Sequence, residues 1–582
     1  MSIGTSPRVR SFLRSHAAAQ QSIPTLRYHL AAVVLLVTVA VLRLLFLCST
    51  TDFSLSTDEA HYWDWSRQLD WCYYSKGPLV AWLIRASCWL WGSDVMPAVR
   101  LPAILCNAFT LLGIYLLMYR IFRDARLAFM ALLAAHTLPF LHVGGLLMTI
   151  DAPYTCAWTW AVLLAHVVLF PRVEASSKEP GASRRQLLLW SAMGLIVAVG
   201  VLAKHNMAMF VPSLGLFLLL SPDHRRELFR PGFWLMALIG GVIGGGPILW
   251  WNAHHHWVTF LHVGTQAAGQ QATGLRWLGP VEFFGTQAAL MMGLWFLLMV
   301  IGFVQVVRHW YTSPKRERGW AARSSVSPKQ QEDLPSPPGT SSLTLRVGVP
   351  QQQLFLTCLA LPMLLVCLVF SFKTRIEPNW PITAYITGLV LAGWMLWERW
   401  GSRAWRRWTV GICIAGFVFS LFIHDTAVLY PLHARFFPET SPRRWDPTCR
   451  LKGWDTLADA VDGLRSKEPA ALLLGSNYSY TAALAFHLKG QPTVYSLGPV
   501  GGSRHSQYDL WRPNPLHDPE QFVGRDAIIV GDITPQIRAA FEVVEKSQVV
   551  KATQLGLVIA EWNVTVARKL KPEGFGPMVS KF

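Results

Sequence analysis

The fold that this sequence predicts is an α-helical polytopic membrane protein with a C-terminal soluble α/β domain. Three observations predict it. Hydrophobic residues make up 52% of the 582-residue chain and charged residues only 15%, far below the quarter usual in a soluble domain. Apolar segments of the length a spanning helix needs follow one another as far as residue 424. Beyond residue 425 the pattern changes to short strands and helices bounded by turn residues.

The elements follow in order. Residues 1–29 are a polar, basic tail (Arg8, Arg10, Arg14, Arg27) on the cytoplasmic side. The apolar run 30–48 exceeds a signal peptide's core, and "FLCSTTD" is a poor cleavage site, so it reads as a retained first helix. Further spans are expected near 97–119, 127–147, 152–170, 187–203, 205–221, 233–251, 283–307, 353–371, 381–398 and 408–424, which makes about eleven transmembrane helices. Residues 49–96 form the first outer loop. Residues 309–350, rich in Ser, Pro, Gln and charge, read as a disordered cytoplasmic linker. In 425–582, "AALLLGS", "PTVYSL" and "RDAIIVGD" read as strands and "YTAALAFHLKG" as a helix closed by Gly490. No Gly-rich phosphate loop accompanies them, so no nucleotide site is assigned. In "IGGVIGGGP", glycines at four-residue spacing (Gly240 and Gly244, Gly241 and Gly245) suit close helix packing.

Orientation follows from Lys and Arg. With the N-terminus in the cytoplasm, Arg120, Arg123 and Arg126, then Arg172 to Arg185, Arg225 to Arg230, Lys315 to Arg318 and Arg403 to Arg407 all fall inside. The outer loops hold few basic residues, namely Arg67, Lys76, Arg85, Lys204, Arg276, Lys373 and Arg375. This is the positive-inside pattern of a multi-pass cell-membrane protein, and it accounts for the net charge of +18 without nucleic acid as a partner. It puts the first outer loop and the C-terminal domain outside the cytoplasm. The nine cysteines include no CxxC pair, so neither a disulfide framework nor a zinc site is implied.

One stretch carries most of the chemistry: "STDEAHYWDWSRQLDWCYYSKGPLVAWL", residues 56–83. Ser56 and Glu59 fit a capping box, Asp58 is then an acid of the first helical turn, and Tyr62, Trp63, Trp65 and Trp71 suit the membrane interface. Capping leaves Lys76, in "YYSKGPL", unexplained. Four further polar clusters fall on the same side: Asp151 in "MTIDAP", Lys204, His205 and Asn206 in "AKHN", His254 to His256 in "WWNAHHHW", and Lys373, Arg375 and Glu377 in "KTRIEPNWP". Ionisable groups at a membrane boundary are costly unless they have a use, and the five clusters together suggest one outward-facing polar cavity.

"TDEAHYW", "YYSKGPL", "TIDAPY", "AKHN", "GPILWWNAHHHW" and "EPNWP", in this order over about residues 30–400, resemble the GT-C membrane glycosyltransferases related to protein O-mannosyltransferases and to the lipid A aminoarabinose transferase (glycosyltransferase family 39-like). The resemblance implies a polyprenyl-phosphate-linked sugar as donor, a lipid, glycan or protein acceptor, and transfer at the outer face of the membrane. It gives Asp58 the role of general base on the acceptor hydroxyl, with Glu59 orienting it or capping the helix. Lys76, with Tyr74 beside it, is the contact to the donor phosphate or sugar, supplemented by Lys204 or Arg276. His61, Tyr62, Asp151, His256 and Glu377 are candidates for acceptor or cavity contacts, although Asp151 also fits a helix N-cap and the three histidines fit plain interfacial residues. The aminoarabinose enzymes carry an acidic metal-binding residue just before this lysine, where this chain has Ser75. No metal ligand and no certain cofactor is therefore assigned, and a divalent metal stays an open alternative weakened by Ser75. The rival readings are a lipid or sugar transporter or flippase, which would need a polar route across the membrane, and a non-catalytic assembly protein whose C-terminal domain captures a partner.

Overall fold

The computed structural model describes residues 7–50, 53–171, 182–268, 274–312, 340–437 and 440–578. Among these, seven helices are long and apolar enough to cross a membrane: Thr25–Ser49, Met96–Phe122, Asp151–Leu169, Arg184–Ala203, Pro231–His254, Gln351–Ser371 and Arg403–His424. An eighth span forms if the helices Gly279–Leu290 and Leu294–Trp310 are taken together, although they meet at 116°. The chain is a multi-pass membrane protein.

Three of the eleven expected spans are shorter helices, Ala125–His136, His205–Leu220 and Ile382–Glu398. The expected span 127–147 is broken because Pro139 opens a separate short helix, Pro139–Val143. Leu79–Trp91, read from sequence as loop, is a further short apolar helix, ended by Gly92 at φ 79°. The basic tail is largely helical, since the first helix begins at Pro7. The expected linker 309–350 is narrower than read: helix extends to Thr312 and resumes at Thr340, and residues 313–339 lie outside the described residues.

The glycine repeat packs on one face only. A Cβ at Gly240 would lie 2.8 Å from Val197, and one at Gly244 2.7 Å from the Ala198 carbonyl oxygen, whereas Gly241 and Gly245 face open space. The helix between them opens into a π-type turn, Gly240–Gly245.

The C-terminal α/β region holds one six-stranded sheet. β1 (Leu472–Gly475) pairs in parallel with β2 (Tyr495–Ser496) and with β3 (Ala527–Val530). β6 (Leu557–Leu570) runs antiparallel to β3, β4 (Phe541–Val544) and β5 (Gln548–Gln554). The first three strands and the helix Tyr478–His487 fall where the sequence pattern puts them. β4 and β5 are mostly exposed or half-buried and β6 mixes buried with exposed residues, a weaker pattern than the continuous apolar runs of β1 and β3.

The region is not a loose appendage. One hydrophobic core runs from Leu55, Ala60, Trp63 and Tyr73 of the first loop, through Val99 and Ile150 of the bundle, into Ala482, Leu484 and Tyr508. Hydrogen bonds cross the same seam: Ser54 N to the Leu451 carbonyl (2.7 Å), Ser54 Oγ to His487 Nε2 (2.6 Å) and Arg67 to the Gln491 carbonyl (3.0 Å).

Candidate active site

The helix Thr57–Arg67 starts with the capping box the sequence announces. The Glu59 amide donates to Ser56 Oγ (3.3 Å), and the Ser56 amide donates back to Glu59 Oε2 (2.9 Å). Glu59 does more than cap. It is fully buried, and both its oxygens also receive the Arg100 guanidinium, Nε to Oε1 at 2.8 Å and Nη2 to Oε2 at 2.7 Å. The Met148 amide adds a further bond to Oε1 (2.8 Å). Arg100, itself buried, also donates to the Ser54 carbonyl (2.7 Å). Four donor contacts thus occupy the Glu59 carboxylate, two on each oxygen, and tie the first loop to two bundle segments, so Glu59 holds the helix that carries Asp58 and has no oxygen left to serve a substrate.

Asp58, one residue earlier, points the other way. It is exposed, and its one hydrogen bond among the described residues is a long one from the Tyr478 hydroxyl (3.4 Å). Beside it, His61 stacks on Tyr508 (5.1 Å) and lies against Trp65 and Tyr478. Burial, then the charge of Arg504, drives the His61 pKa down to about 3, so this imidazole is neutral. Burial, reinforced by Asp58 and Asp151, likewise keeps the Tyr62 phenol protonated.

The turn Tyr73–Lys76 closes through the Tyr73 amide and the Lys76 carbonyl (3.1 Å). It is pinned by Thr259, whose hydroxyl donates to the Tyr73 carbonyl (3.0 Å), and by Tyr73 stacked 4.5 Å from Trp65. Gly77 then passes so close to the end of the Ala182–Ala203 helix that an added Cβ would lie 2.2 Å from the Leu202 carbonyl oxygen. That approach sets Lys76 beside Lys204. The Lys76 ammonium is half-buried and has no hydrogen-bond or ion-pair partner among the described residues. Burial, then the positive charges of Lys204 and Arg504, lowers its pKa to about 8 against the opposing pull of Asp151 and Asp58.

Lys204 is paired. Its Nζ lies 2.7 Å from Asp151 Oδ1 and 5.4 Å from the centroid of the Tyr154 ring, and Asn379 donates to Asp151 Oδ2 (2.5 Å). Asp151, Lys204 and "EPNWP" therefore do meet, but through Asn379. Glu377 is exposed and makes no hydrogen bond or ion pair to this group among the described residues. Arg276 is also held elsewhere, by Glu282 (2.7 Å). His256 is exposed at φ 53°, while His254 and His255 turn back onto their own helix, where His255 stacks 3.8 Å from Trp251. Three successive histidines cannot share one helical face, and the polar residue of that motif aimed inward is Asn252, which holds Ile248, Cys72 and Thr259. Two histidines outside this motif lie near the lysine: His205, and His262, 5.2 Å from the Tyr74 ring.

The C-terminal α/β region supplies the groups that sequence reasoning missed. Gln507 accepts the Tyr74 amide (2.7 Å), Tyr478 reaches Asp58, and Arg504 donates to His262 Nε2 (2.8 Å) with its guanidinium 4.8 Å from the Tyr478 ring centroid. Nothing in their local sequence distinguishes them from ordinary surface residues of a small α/β fold. A metal does not fit the residues present: Ser75 is a buried hydroxyl, and among the described residues no group of three or more His, Cys, Asp or Glu gathers.

A multi-pass helical bundle thus holds an exposed acid, a lysine without a partner among the described residues and a covering α/β region around one polar site, and the known proteins that resemble this chain are membrane glycosyltransferases. The particular likenesses agree. Residues 75–251 match the family model described as dolichyl-phosphate-mannose-protein mannosyltransferase. The chain is 24% identical over 490 residues, covering 84% of it and 85% of the relative, to the lipid A galacturonosyltransferase RgtD of Rhizobium johnstonii. It is 26% identical over 205 residues, 33% of this chain and 35% of that protein, to the undecaprenyl phosphate-alpha-4-amino-4-deoxy-L-arabinose arabinosyl transferase of Pectobacterium carotovorum subsp. carotovorum. In fold it resembles ArnT from Cupriavidus metallidurans bound to undecaprenyl phosphate, with a TM-score of 0.55 and 15% identity over 92% of this chain and 97% of that one. By family model and by relatives the chain is similar to membrane glycosyltransferases, and it shares the fold of ArnT.

Proposed function

We propose that this enzyme moves a sugar from a polyprenyl-phosphate carrier to a hydroxyl of a lipid, glycan or protein acceptor at the extracytoplasmic face of the inner membrane. Residues 30–424 form the catalytic membrane domain, and residues 425–582 cover its outer end. The observation that carries this reading is the contrast between neighbours. Glu59, Asp151 and Lys204 are spent on internal pairs, whereas Asp58 and Lys76 at the same end are left for a ligand. The excess of Arg in the opposite loops supports the orientation.

Asp58 takes the proton of the acceptor hydroxyl as its oxygen attacks the anomeric carbon. The bond from that carbon to the phosphate oxygen breaks, and its electron pair leaves on the phosphate, whose charge grows. The Lys76 ammonium, with Tyr74 beside it, meets that charge. A single displacement of this kind inverts the anomeric configuration. The Lys204–Asp151–Asn379 group braces the wall behind Lys76, and His61 and Tyr62 offer neutral surfaces to the incoming acceptor.

The test is incubation of the purified protein with labelled polyprenyl-phosphate sugars and membrane lipid extract. Labelled product carrying the sugar supports the reading. Movement of intact donor across a vesicle, or retention of donor without product, would overturn it in favour of transport or capture.

A further inference from the structure

Cations around the site fall into two groups. Arg100, Lys204 and Arg67 each face a carboxylate, at 2.7, 2.7 and 3.2 Å. Lys76 and Arg504 face none among the described residues. A cation left without its counter-charge in a partly desolvated place is costly, and two of them in one place usually mean that an anion belongs there.

Arg504 is held there deliberately. It lies between Gly498 and the short turn Gln507–Asp509. That turn is locked by its own capping box, with the Ser506 amide donating to Asp509 Oδ2 (2.6 Å). Gly501 allows the loop to fold back, since a Cβ there would lie 2.5 Å from the Ser476 carbonyl oxygen. The guanidinium lies over the Tyr478 ring, and one N–H is used by His262. Burial, then Arg504 and Lys76, brings the His262 pKa to about 3. His262 therefore accepts as a neutral imidazole and aims the guanidinium without cancelling its charge. A guanidinium has five N–H donors, and this one makes a single hydrogen bond among the described residues, which leaves a fork suited to phosphate oxygens.

We propose that Arg504, reaching down from the C-terminal α/β region, contacts the donor's phosphate together with Lys76, so that this region completes the catalytic site. This rests on the reading of the enzyme as a polyprenyl-phosphate-dependent transferase. It gives the covering region a chemical part in the reaction: each departure of the lipid phosphate is met by one cation from the bundle and one from the cover.

The experiment uses the full-length protein in lipid nanodiscs with undecaprenyl phosphate, which carries no sugar, as the probe. Arg504→Gln should weaken binding of this probe roughly 10- to 100-fold, the usual worth of a hydrogen bond to a charged group, and Arg504→Lys should restore part of it. Added guanidinium should raise the turnover of Arg504→Ala severalfold and leave Lys76→Ala unchanged, a rescue that a merely structural role would not give. Full-strength probe binding by Arg504→Gln, with Lys76→Ala impaired, would overturn this proposal alone. Full-strength binding by both variants would overturn the donor assignment itself. If Arg504→Gln weakens binding only of a sugar-bearing donor with a carboxylate, Arg504 reads the sugar and the phosphate contact is wrong. Should Arg504→Gln fail to fold, the guanidinium rescue still decides: no gain in turnover of folded Arg504→Ala on adding guanidinium counts against the proposal.

Discussion

The stretches Ser56–Gly77 and Tyr478–Gln507 face each other across the site from distant parts of the chain, and they hold their polar groups differently. The first is built into the bundle. Glu59 is locked to Arg100 and Met148, Gly77 abuts the Leu202 carbonyl, and Tyr73 is stacked and bonded at its hydroxyl to the Trp65 and Gln68 carbonyls. The second reaches the site by single side-chain contacts, Tyr478 to Asp58, Gln507 to Tyr74 and Arg504 to His262. Rigid support thus lies under the acid and the lysine, while the cover, docked through a shared core, adds its polar groups to the site one side chain at a time. An enzyme handling a long lipid needs a fixed reacting end.

Changes at five positions would break or sharpen that contrast. The largest effect is expected from Asp58→Asn, which should cut transfer by about 10²- to 10⁴-fold while leaving the melting temperature and donor binding near wild type. Near-normal turnover would remove Asp58 as base. Glu59→Gln should do the reverse kind of damage. It strips the buried Arg100 of its counter-charge, which costs about 3–5 kcal/mol, so the folded yield in detergent should fall before any kinetic effect can be measured. A stable Glu59→Gln protein would contradict the anchoring role.

Lys76→Ala should raise the donor KM about tenfold or more. The pH dependence carries the same test. The folded-state pKa of Lys76 is lowered from 10.5 to about 8, so the ammonium is present below pH 8 and lost as the pH rises through it. Donor affinity should therefore decline above that pH, and Lys76→Arg should flatten the decline because a guanidinium stays charged. A wild-type profile that rises there would refute the phosphate role. Gln507→Ala removes the acceptor of the Tyr74 amide and should cost about 1 kcal/mol, visible as easier proteolytic release of the C-terminal region. His256→Ala comes last, with activity and stability close to wild type, since His256 is exposed and outside the cluster.

Much of the bundle half was legible because local rules govern it. A capping box needs only Ser56 and Glu59 at the right spacing, and a spanning helix needs only an apolar run. The sequence also pointed to Asp58, Lys76, Asp151 and Lys204, since charge beside an apolar segment is conspicuous. It misjudged the partners. Glu377 stood out because it is charged, yet Asn379 makes the bond to Asp151. His254 to His256 stood out by number, yet His262, inside an unremarkable helix, faces Arg504. Arg276 stood out as an isolated basic residue, and Glu282, six residues on, takes it up.

The sequence by itself determined that this chain crosses a membrane many times, which ends of its helices gather polar residues, and which motifs those residues sit in. These properties depend on length, hydropathy and short-range spacing. Only the tertiary structure decided which ionisable groups pair and which stay free. Asp58 and Glu59 are adjacent and chemically alike. One is buried under Arg100 and the other left open to Tyr478, because a helix turns successive side chains about 100° apart and the bundle packs on one side of it. The same holds for Arg504: its position over the site depends on how a sheet formed by residues 472–570 docks on a loop near residue 60, and no local pattern encodes that docking.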